Sequence, residues 1–271
     1  MHPLFVSNDA LNFMNGSIKV DSIASAYAAA LKNILYNGID FKDERGDKMK
    51  VFYNMTITIK RPLEDLNILD QMNRNGFLPY NRAFLDDYAN QLIYGEKPKL
   101  IEKTYYLPKD YGIIGKILSY FSLNKTVLKI RDVSKLTDRN LGFAYTYFER
   151  LRKGKIDQIE EAIQTLIRKP NTRRAACTTW IPLIDSKEEN CPCLNWLVFY
   201  NIYGKLYLTV GFRSHDIYGA YVENLYGIAR LLEYVAKRSN LKIGALTVVS
   251  INGHYNKLFE SEVKRIVGRQ D

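Results

Sequence analysis

Two runs, Trp196-Leu197-Val198-Phe199-Tyr200-Asn201-Ile202 and Leu206-Tyr207-Leu208-Thr209-Val210-Gly211-Phe212, flank Gly204 and decide the reading of the fold. Each alternates with the period of a half-buried strand, and a short glycine-bearing link between two such runs is the signature of a β-hairpin. Working outward, Val51, Tyr53, Met55, Ile57 and Ile59 fall on one face of a strand that ends before Pro62. Ala245 to Ile251 reads as another strand, and Arg173 to Trp180 as one more. Helices lie between them. In Asp21 to Tyr36, residues Ile23, Tyr27, Ala30, Leu31, Ile34 and Leu35 recur at near-helical spacing, and Gly38 follows as a stop. Asn81 caps a helix carrying Phe84, Leu85, Tyr88 and Leu92, closed by Gly95. Ile156 to Arg168 is amphipathic, with Ile156, Ile159, Ile163, Leu166 and Ile167 expected to face inward and Pro170 to end it. Val222 to Arg238 is helical, and Leu107 to Lys135 carries helical stretches around Ile113 to Phe121. Alternating strands and helices, with neighbouring strands also paired as hairpins, predict an α/β (α+β) chain with a large mixed sheet packed by helices. No repeat, low-complexity tract or linker breaks it, so one domain over residues 1–271 is expected.

Composition narrows the function. The 271 residues are 46% hydrophobic and 25% charged, as in an ordinary soluble protein. No apolar run approaches the ~20 residues of a membrane helix, and the first residues lack the pattern of a secretory signal. A cytosolic protein is the expectation. The formal charge is +10, from 39 Lys and Arg against 29 Asp and Glu. Such an excess suits anionic small substrates, nucleic acid or a membrane surface, but no block of five basic residues concentrates it. The 20 tyrosines recur mostly at strand or helix spacing and read as core. Three cysteines (Cys177, Cys191 and Cys193) are too few and too odd for a disulfide framework. Three scattered histidines (His2, His215 and His254) do not complete a zinc site, so no metal is expected.

The chemistry concentrates around Cys193. Arg213-Ser214 follows it by twenty positions, Arg173-Arg174 precedes it by twenty, and Asp216 and Asn224 follow Arg213 by three and eleven. A thiol is a weak nucleophile while protonated, and a nearby guanidinium raises its thiolate fraction. If the hairpin strands pair, Arg213 stands across from Cys193. The bland alternative is a buried structural cysteine. Guanidinium forks suit phosphate and Ser214 adds a hydroxyl, whereas adjacent arginines also serve as solvated edges or in ion pairs. Asn224 can cap a helix; its amide can equally donate to a uracil O4 and accept from N3–H, a pattern that cytosine reverses.

Leu141-Gly142 with Tyr145, Ile156-Asp157-Gln158-Ile159, Arg173-Arg174 through Trp180, Pro192-Cys193, Arg213-Ser214-His215-Asp216, Asn224 and His254 stand in one order. This set, over about residues 141–254, resembles the thymidylate synthase family, which includes the pyrimidine hydroxymethylases. The compact form looks most like its archaeal and phage branch. The turn Asp43-Glu44-Arg45-Gly46 is similar to the family's phosphate-loop arginine region.

The resemblance implies a thymidylate synthase-like fold and C5 chemistry on a pyrimidine nucleotide with 5,10-methylenetetrahydrofolate as co-substrate. Cys193 would add to C6 of the base. Arg213 would assist the thiolate and, with Ser214 and Arg45, grip the phosphate. Arg173 and Arg174 would reach the phosphate of the neighbouring subunit in a homodimer. Asp216 would bind the pterin, His254 would lie near the sugar, and Tyr145 would belong to the proton-removal network. The leading expectation is methylation of dUMP to dTMP. The alternative is hydroxymethylation of dUMP, or less favourably of dCMP, since aspartate is expected at position 224 in a dCMP enzyme. A non-catalytic nucleic-acid-binding protein on the same scaffold is the remote alternative.

Several positions depart from the family pattern. Leu194 replaces a histidine common after the nucleophile, and Phe212 replaces a glutamine. Gly219 falls one place early, with Ala220 at the family position. Asn256 stands for a sugar-binding tyrosine, with Tyr255 beside it as a possible substitute. Only 17 residues follow His254, fewer than the larger members use to close the site. Asp86 and Asp87 are the carboxylates nearest in position to the family's catalytic glutamate, or else belong to a solvated helix face.

Overall fold

The computed structural model describes residues 16–64, 66–78, 80–96, 146–188 and 190–268. Their chain order is β1 (Gly16–Val20), α1 (Ile23–Asn37), β2 (Ile39–Lys42), β3 (Lys48–Ile59), α2 (Leu66–Arg74) and α3 (Arg82–Tyr94). Then come α4 (Tyr147–Arg152), α5 (Gln158–Arg168), β4 (Ala176–Thr178), α6 (Pro182–Asp185), β5 (Leu194–Ile202) and β6 (Lys205–Phe212). The last are β7 (His215–Asp216), α7 (Tyr221–Arg238), β8 (Lys242–Asn256) and α8 (Glu260–Val267). The segment 107–135 and Tyr145 lie outside the described residues.

Eight strands form one mixed sheet in the order β1-β3-β8-β6-β5-β4, with β2 on β3 and β7 on β8. β1 runs parallel to β3, and β6 and β7 run parallel to β8; the other pairs are antiparallel. The β5–β6 hairpin turns through Tyr203 at φ 49° and Gly204 at φ 80°. Two successive left-handed residues match the strands' own twist, and glycine takes that conformation without cost.

Alternation sorts each strand into two faces. Leu197 and Phe199, Leu208 and Val210, Leu246 and Val248 are buried in one core with helices α1 and α7. Val198, Tyr200, Tyr207, Thr209, Thr247 and Val249 alternate with them and stay half-buried on the opposite face.

The helices start where local chemistry allows. Ser22 and Ser25 cap α1 reciprocally, and Asn81 and Asp157 accept from the backbone of the first turns of α3 and α5. These side chains satisfy donors that an open helix end leaves bare.

Four expectations need correction. The β4 strand covers only Ala176–Thr178, so Arg173 and Arg174 precede it on the link after α5 rather than lying on a strand. Ile156 is exposed because it comes before the Asp157 cap, outside the helix. Ile167 is exposed because the buried stripe runs through Ile159, Ala162, Ile163 and Leu166, and position 167 turns past its edge. β8 also runs beyond Ile251 to Asn256, past the point where apolar alternation gives way to polar residues and glycine.

Candidate active site

That extension of β8 builds the site. Leu246, Val248, Ser250, Asn252 and His254 alternate onto one face, apolar in the core and polar toward its end. β3 adds Met49 and Val51, and Val51 pairs with His254. The β2–β3 turn supplies Asp43, Glu44 and Arg45, held by Asp43 Oδ1, which accepts from the N–H groups of Arg45 at 3.0 Å and Asp47 at 2.7 Å. Opposite, the entry to β5 contributes Cys191 and Cys193, and the end of β6 contributes Arg213 and Ser214. All of these except Leu246, Val248, Ser250 and Asp47, together with Phe41 and Asn190, line a cleft of about 460 Å³.

Arg213 organises the nucleophile's loop. Its Nε donates to the Pro192 carbonyl at 3.0 Å and its Nη2 to the Cys191 carbonyl at 2.9 Å. Its own N–H donates to the Cys193 carbonyl at 2.9 Å, continuing the hairpin by one rung. Among the described residues Nη1 has no acceptor and remains able to meet an anion. Tyr147 Oη accepts from the Leu194 N–H at 3.2 Å and steadies the other side of the nucleophile.

The thiol's electrostatics differ from the simple expectation. Burial pushes the Cys193 pKa up, Arg213 pulls it down, and the nearby Cys191 and Asp216 push it up further; the balance lies above the ordinary cysteine value. The guanidinium therefore offsets part of the burial cost rather than leaving a ready thiolate. Cys177 fits the structural reading instead: it is buried, donates to the Gln158 carbonyl at 3.5 Å, and burial pushes it up to about 12.

Other expected residues stand outside the cleft lining. Asn224 sits in the first turn of α7, not at its cap; it is 8% exposed and is not among the residues that line the cleft. Its Oδ1 accepts from Tyr88 Oη at 2.6 Å, and its Nδ2 lies 3.4 Å from His215 Nε2. Asp216 is exposed beside His254 in the β7–β8 pairing, and its Oδ1 accepts from the N–H groups of Tyr218 and Gly219. A Cβ at Gly219 would stand 2.4 Å from Asp216 Oδ2, which explains a glycine there. Arg173 and Arg174 do not line the cleft; with Lys169 to Thr172 they border a separate open concavity of about 430 Å³.

The departures resolve individually. Leu194 is fully buried, and Phe212 stacks on the His215 ring at 3.8 Å. Tyr255 is fully buried and Asn256 caps the turn after β8, so neither lines the cleft. Asp86 accepts from Tyr226 Oη at 2.5 Å, tying α3 to α7, and neither it nor Asp87 is among the cleft residues. The residues after His254 include α8, which buries Val263 and Ile266 and packs on α1. Sequence reasoning missed Tyr88, Tyr147, Cys191, Ser250 and Asn252. The period-two pattern of β8, continued past Ile251, points to Asn252.

A family model described as thymidylate synthase matches residues 116–271, more than half of the chain. The chain belongs to the thymidylate synthase family. It is 34% identical over 239 residues to a Methanosarcina mazei protein named "Putative thymidylate synthase", covering 88% of each chain. A protein of the same name from Methanococcoides burtonii is 31% identical over 252 residues, 92% of this chain and 94% of the relative. One from Methanopyrus kandleri is 41% identical over 115 residues, 42% of this chain and 55% of the relative. Membership makes this a one-carbon transferase of nucleotide biosynthesis. Among the described residues no His, Cys, Asp or Glu cluster is set to hold a metal, and no helix is long and apolar enough to cross a membrane.

Proposed function

We propose that this protein methylates C5 of dUMP to give dTMP, through a covalent bond between Cys193 Sγ and C6 of the base. The observation that carries the reading is the cleft itself, where Cys193, Arg213, Ser214, Arg45 and His254 meet. Arg213 Nη1, the Ser214 hydroxyl and Arg45 offer donors to a phosphate, and His254 extends from the adjacent strand toward the sugar. Thiolate addition at C6 moves an electron pair onto C5 and O4. An amide donor at O4, the role given to Asn224, stabilises the charge that develops there.

Methylenetetrahydrofolate, the co-substrate, supplies the one-carbon unit and the hydride. Asp216 suits its pterin: the carboxylate is exposed and fixed by two backbone donors, leaving Oδ2 to accept a ring N–H. Tyr145 keeps its proposed place in the network removing the C5 proton.

A homodimer completes the site. Arg173 and Arg174 are exposed and point to no acceptor in their own cleft, and the half-buried sheet face of Val198, Tyr200, Tyr207, Thr209 and Val249 suits a second copy. Self-association of that face would bring each arginine pair to the partner's phosphate. The free thiols Cys177, Cys191 and Cys193 accord with the reducing cytosol.

A second reading, hydroxymethylation of dUMP, is favoured by one observation: α8 is committed to the core against α1, and its residues do not line the cleft. Water reaching the exocyclic carbon would then replace hydride. The proposal that Cys193 is the nucleophile is tested with Cys193→Ser. Turnover of dUMP and the covalent protein–nucleotide adduct should both vanish, and a fully active variant would refute it.

A further inference from the structure

Tyr88, Asn224, His215 and Ser250 form one hydrogen-bonded chain from α3 to β8. Tyr88 Oη donates to Asn224 Oδ1 at 2.6 Å, Asn224 Nδ2 meets His215 Nε2 at 3.4 Å, and His215 Nδ1 meets Ser250 Oγ at 2.9 Å. His215 and Ser250 are each 1% exposed. The chain adjoins the cleft: His215 follows Ser214, and Ser250 stands two residues before Asn252 on the same strand.

The imidazole is neutral. Burial, with the nearby His254 acting in the same sense, holds its pKa well below the ordinary histidine value. A neutral ring has one donor and one acceptor nitrogen. With Asn224 Oδ1 taken by Tyr88, the amide N–H faces Nε2, so Nε2 accepts and Nδ1–H donates to Ser250. Phe212 stacks on the ring at 3.8 Å and 11°, and Tyr221 packs at 4.8 Å, so the imidazole keeps its plane. Turning the amide over would require the imidazole to carry its proton on Nε2 and the Tyr88 and Ser250 hydroxyls to exchange their roles at the same time.

An amide has two N–H donors and two acceptor lone pairs. The chain takes one of each and leaves one of each. Uracil presents O4 as acceptor and N3–H as donor, whereas cytosine presents an amino donor and an N3 acceptor. An amide able to turn over would serve both bases; a held one serves only one.

We infer that Tyr88 and His215 are positioning residues that lock the Asn224 carboxamide in the orientation that accepts uracil and rejects cytosine. The inference rests on the proposed role of Asn224 at the base. Tyr88 contributes the lock on the oxygen side, and His215, oriented by Ser250, contributes it on the nitrogen side.

The test is calorimetric binding of dUMP and dCMP to the full-length protein and to its Tyr88→Phe and Ser250→Ala variants. The wild type should bind dUMP in clear preference to dCMP. Tyr88→Phe keeps the ring and loses the donor, and the dUMP:dCMP affinity ratio should fall by about tenfold, the scale of one oriented hydrogen bond. Ser250→Ala removes the partner of Nδ1 and breaks the chain at its far end, and it should move the ratio the same way, which keeps the inference testable if Tyr88→Phe fails to fold. A merely structural role would alter melting temperature and leave the ratio unchanged. An unchanged ratio in a folded variant overturns the inference and leaves the dUMP reading standing. A wild type that binds dCMP as well as dUMP, or binds neither, overturns both.

Discussion

Arg213 and Cys193 are joined through the backbone as well as through charge. The Arg213 N–H donates to the Cys193 carbonyl at 2.9 Å while its guanidinium clasps the Pro192 and Cys191 carbonyls. One side chain thereby shapes the loop that presents the thiol, opposes the cost of burying it, and keeps Nη1 for an anion. Lysine cannot do all three, because an ammonium lacks the planar fork. Arg213→Lys should lower kcat/KM for dUMP by roughly 100-fold, the scale of losing charge-assisted hydrogen bonds. Iodoacetamide alkylation of Cys193 should have its pH midpoint above the ordinary cysteine range in the wild type. With the guanidinium exchanged for alanine the midpoint should rise further; a fall would mean that Arg213 does not stabilise the thiolate.

Arg150 and Asp185 form a buried ion pair, Nη2 to Oδ1 at 2.7 Å, with side chains 11% and 1% exposed. The second Asp185 oxygen accepts from the Ile181 N–H at 2.6 Å. Arg150→Met leaves a carboxylate buried beside one backbone donor. Urea unfolding should show a loss of about 3–5 kcal/mol. A loss below ~1 kcal/mol would place the pair among surface bridges in energetic terms.

His215 should make the fold acid-sensitive. Its folded pKa lies well below the unfolded value of about 6.5, so below that pH the unfolded chain binds a proton that the folded one refuses. Stability is then unaffected by this group above about pH 7 and falls as pH drops from 6.5 toward the folded value, by at most ~1.4 kcal/mol per unit. His215→Gln should flatten that part of the curve in thermal melts from pH 7.5 to 5. An identical slope in both proteins would assign the acid sensitivity elsewhere.

The proposed homodimer predicts subunit complementation. Cys193→Ser removes the nucleophile, and a joint Arg173→Ala and Arg174→Ala variant removes the arginine pair. If each pair serves the partner's phosphate, mixing the two inactive proteins after dissociation should restore activity through one intact cleft per mixed dimer. No recovery, with mixed dimers demonstrated, would return the arginines to their own subunit or to the surface.

The hairpin around Gly204 and the helices capped by Ser22, Asn81 and Asp157 were legible because their signals are local: period, turn residue and cap. That Arg213 comes near Cys193 was legible because strand pairing makes a hairpin's register countable; the count sets Arg213 against Leu194, and the bulge between Leu194 and Trp196 brings Cys193 opposite it. Tyr88 and Ser250 were not. Tyr88 lies on α3 and reaches Asn224 136 positions away, a meeting decided by how α3 packs on α7. Ser250 interrupts an apolar alternation and reads as a weak core residue until the imidazole beside it is known. The charge effect of Arg213 was legible in sign, but the burial that outweighs it at Cys193 depends on the packed cleft. The residues after His254 could be counted, while their packing as α8 on α1 follows from the buried stripe of Val263, Ile266 and Val267.

The central claim is most directly tested by the mass of the nucleotide formed from dUMP and methylenetetrahydrofolate by the purified protein. The account predicts a methylated product, dTMP, formed together with dihydrofolate. A hydroxymethylated nucleotide accompanied by tetrahydrofolate would contradict it and assign the cleft to a hydroxymethylase.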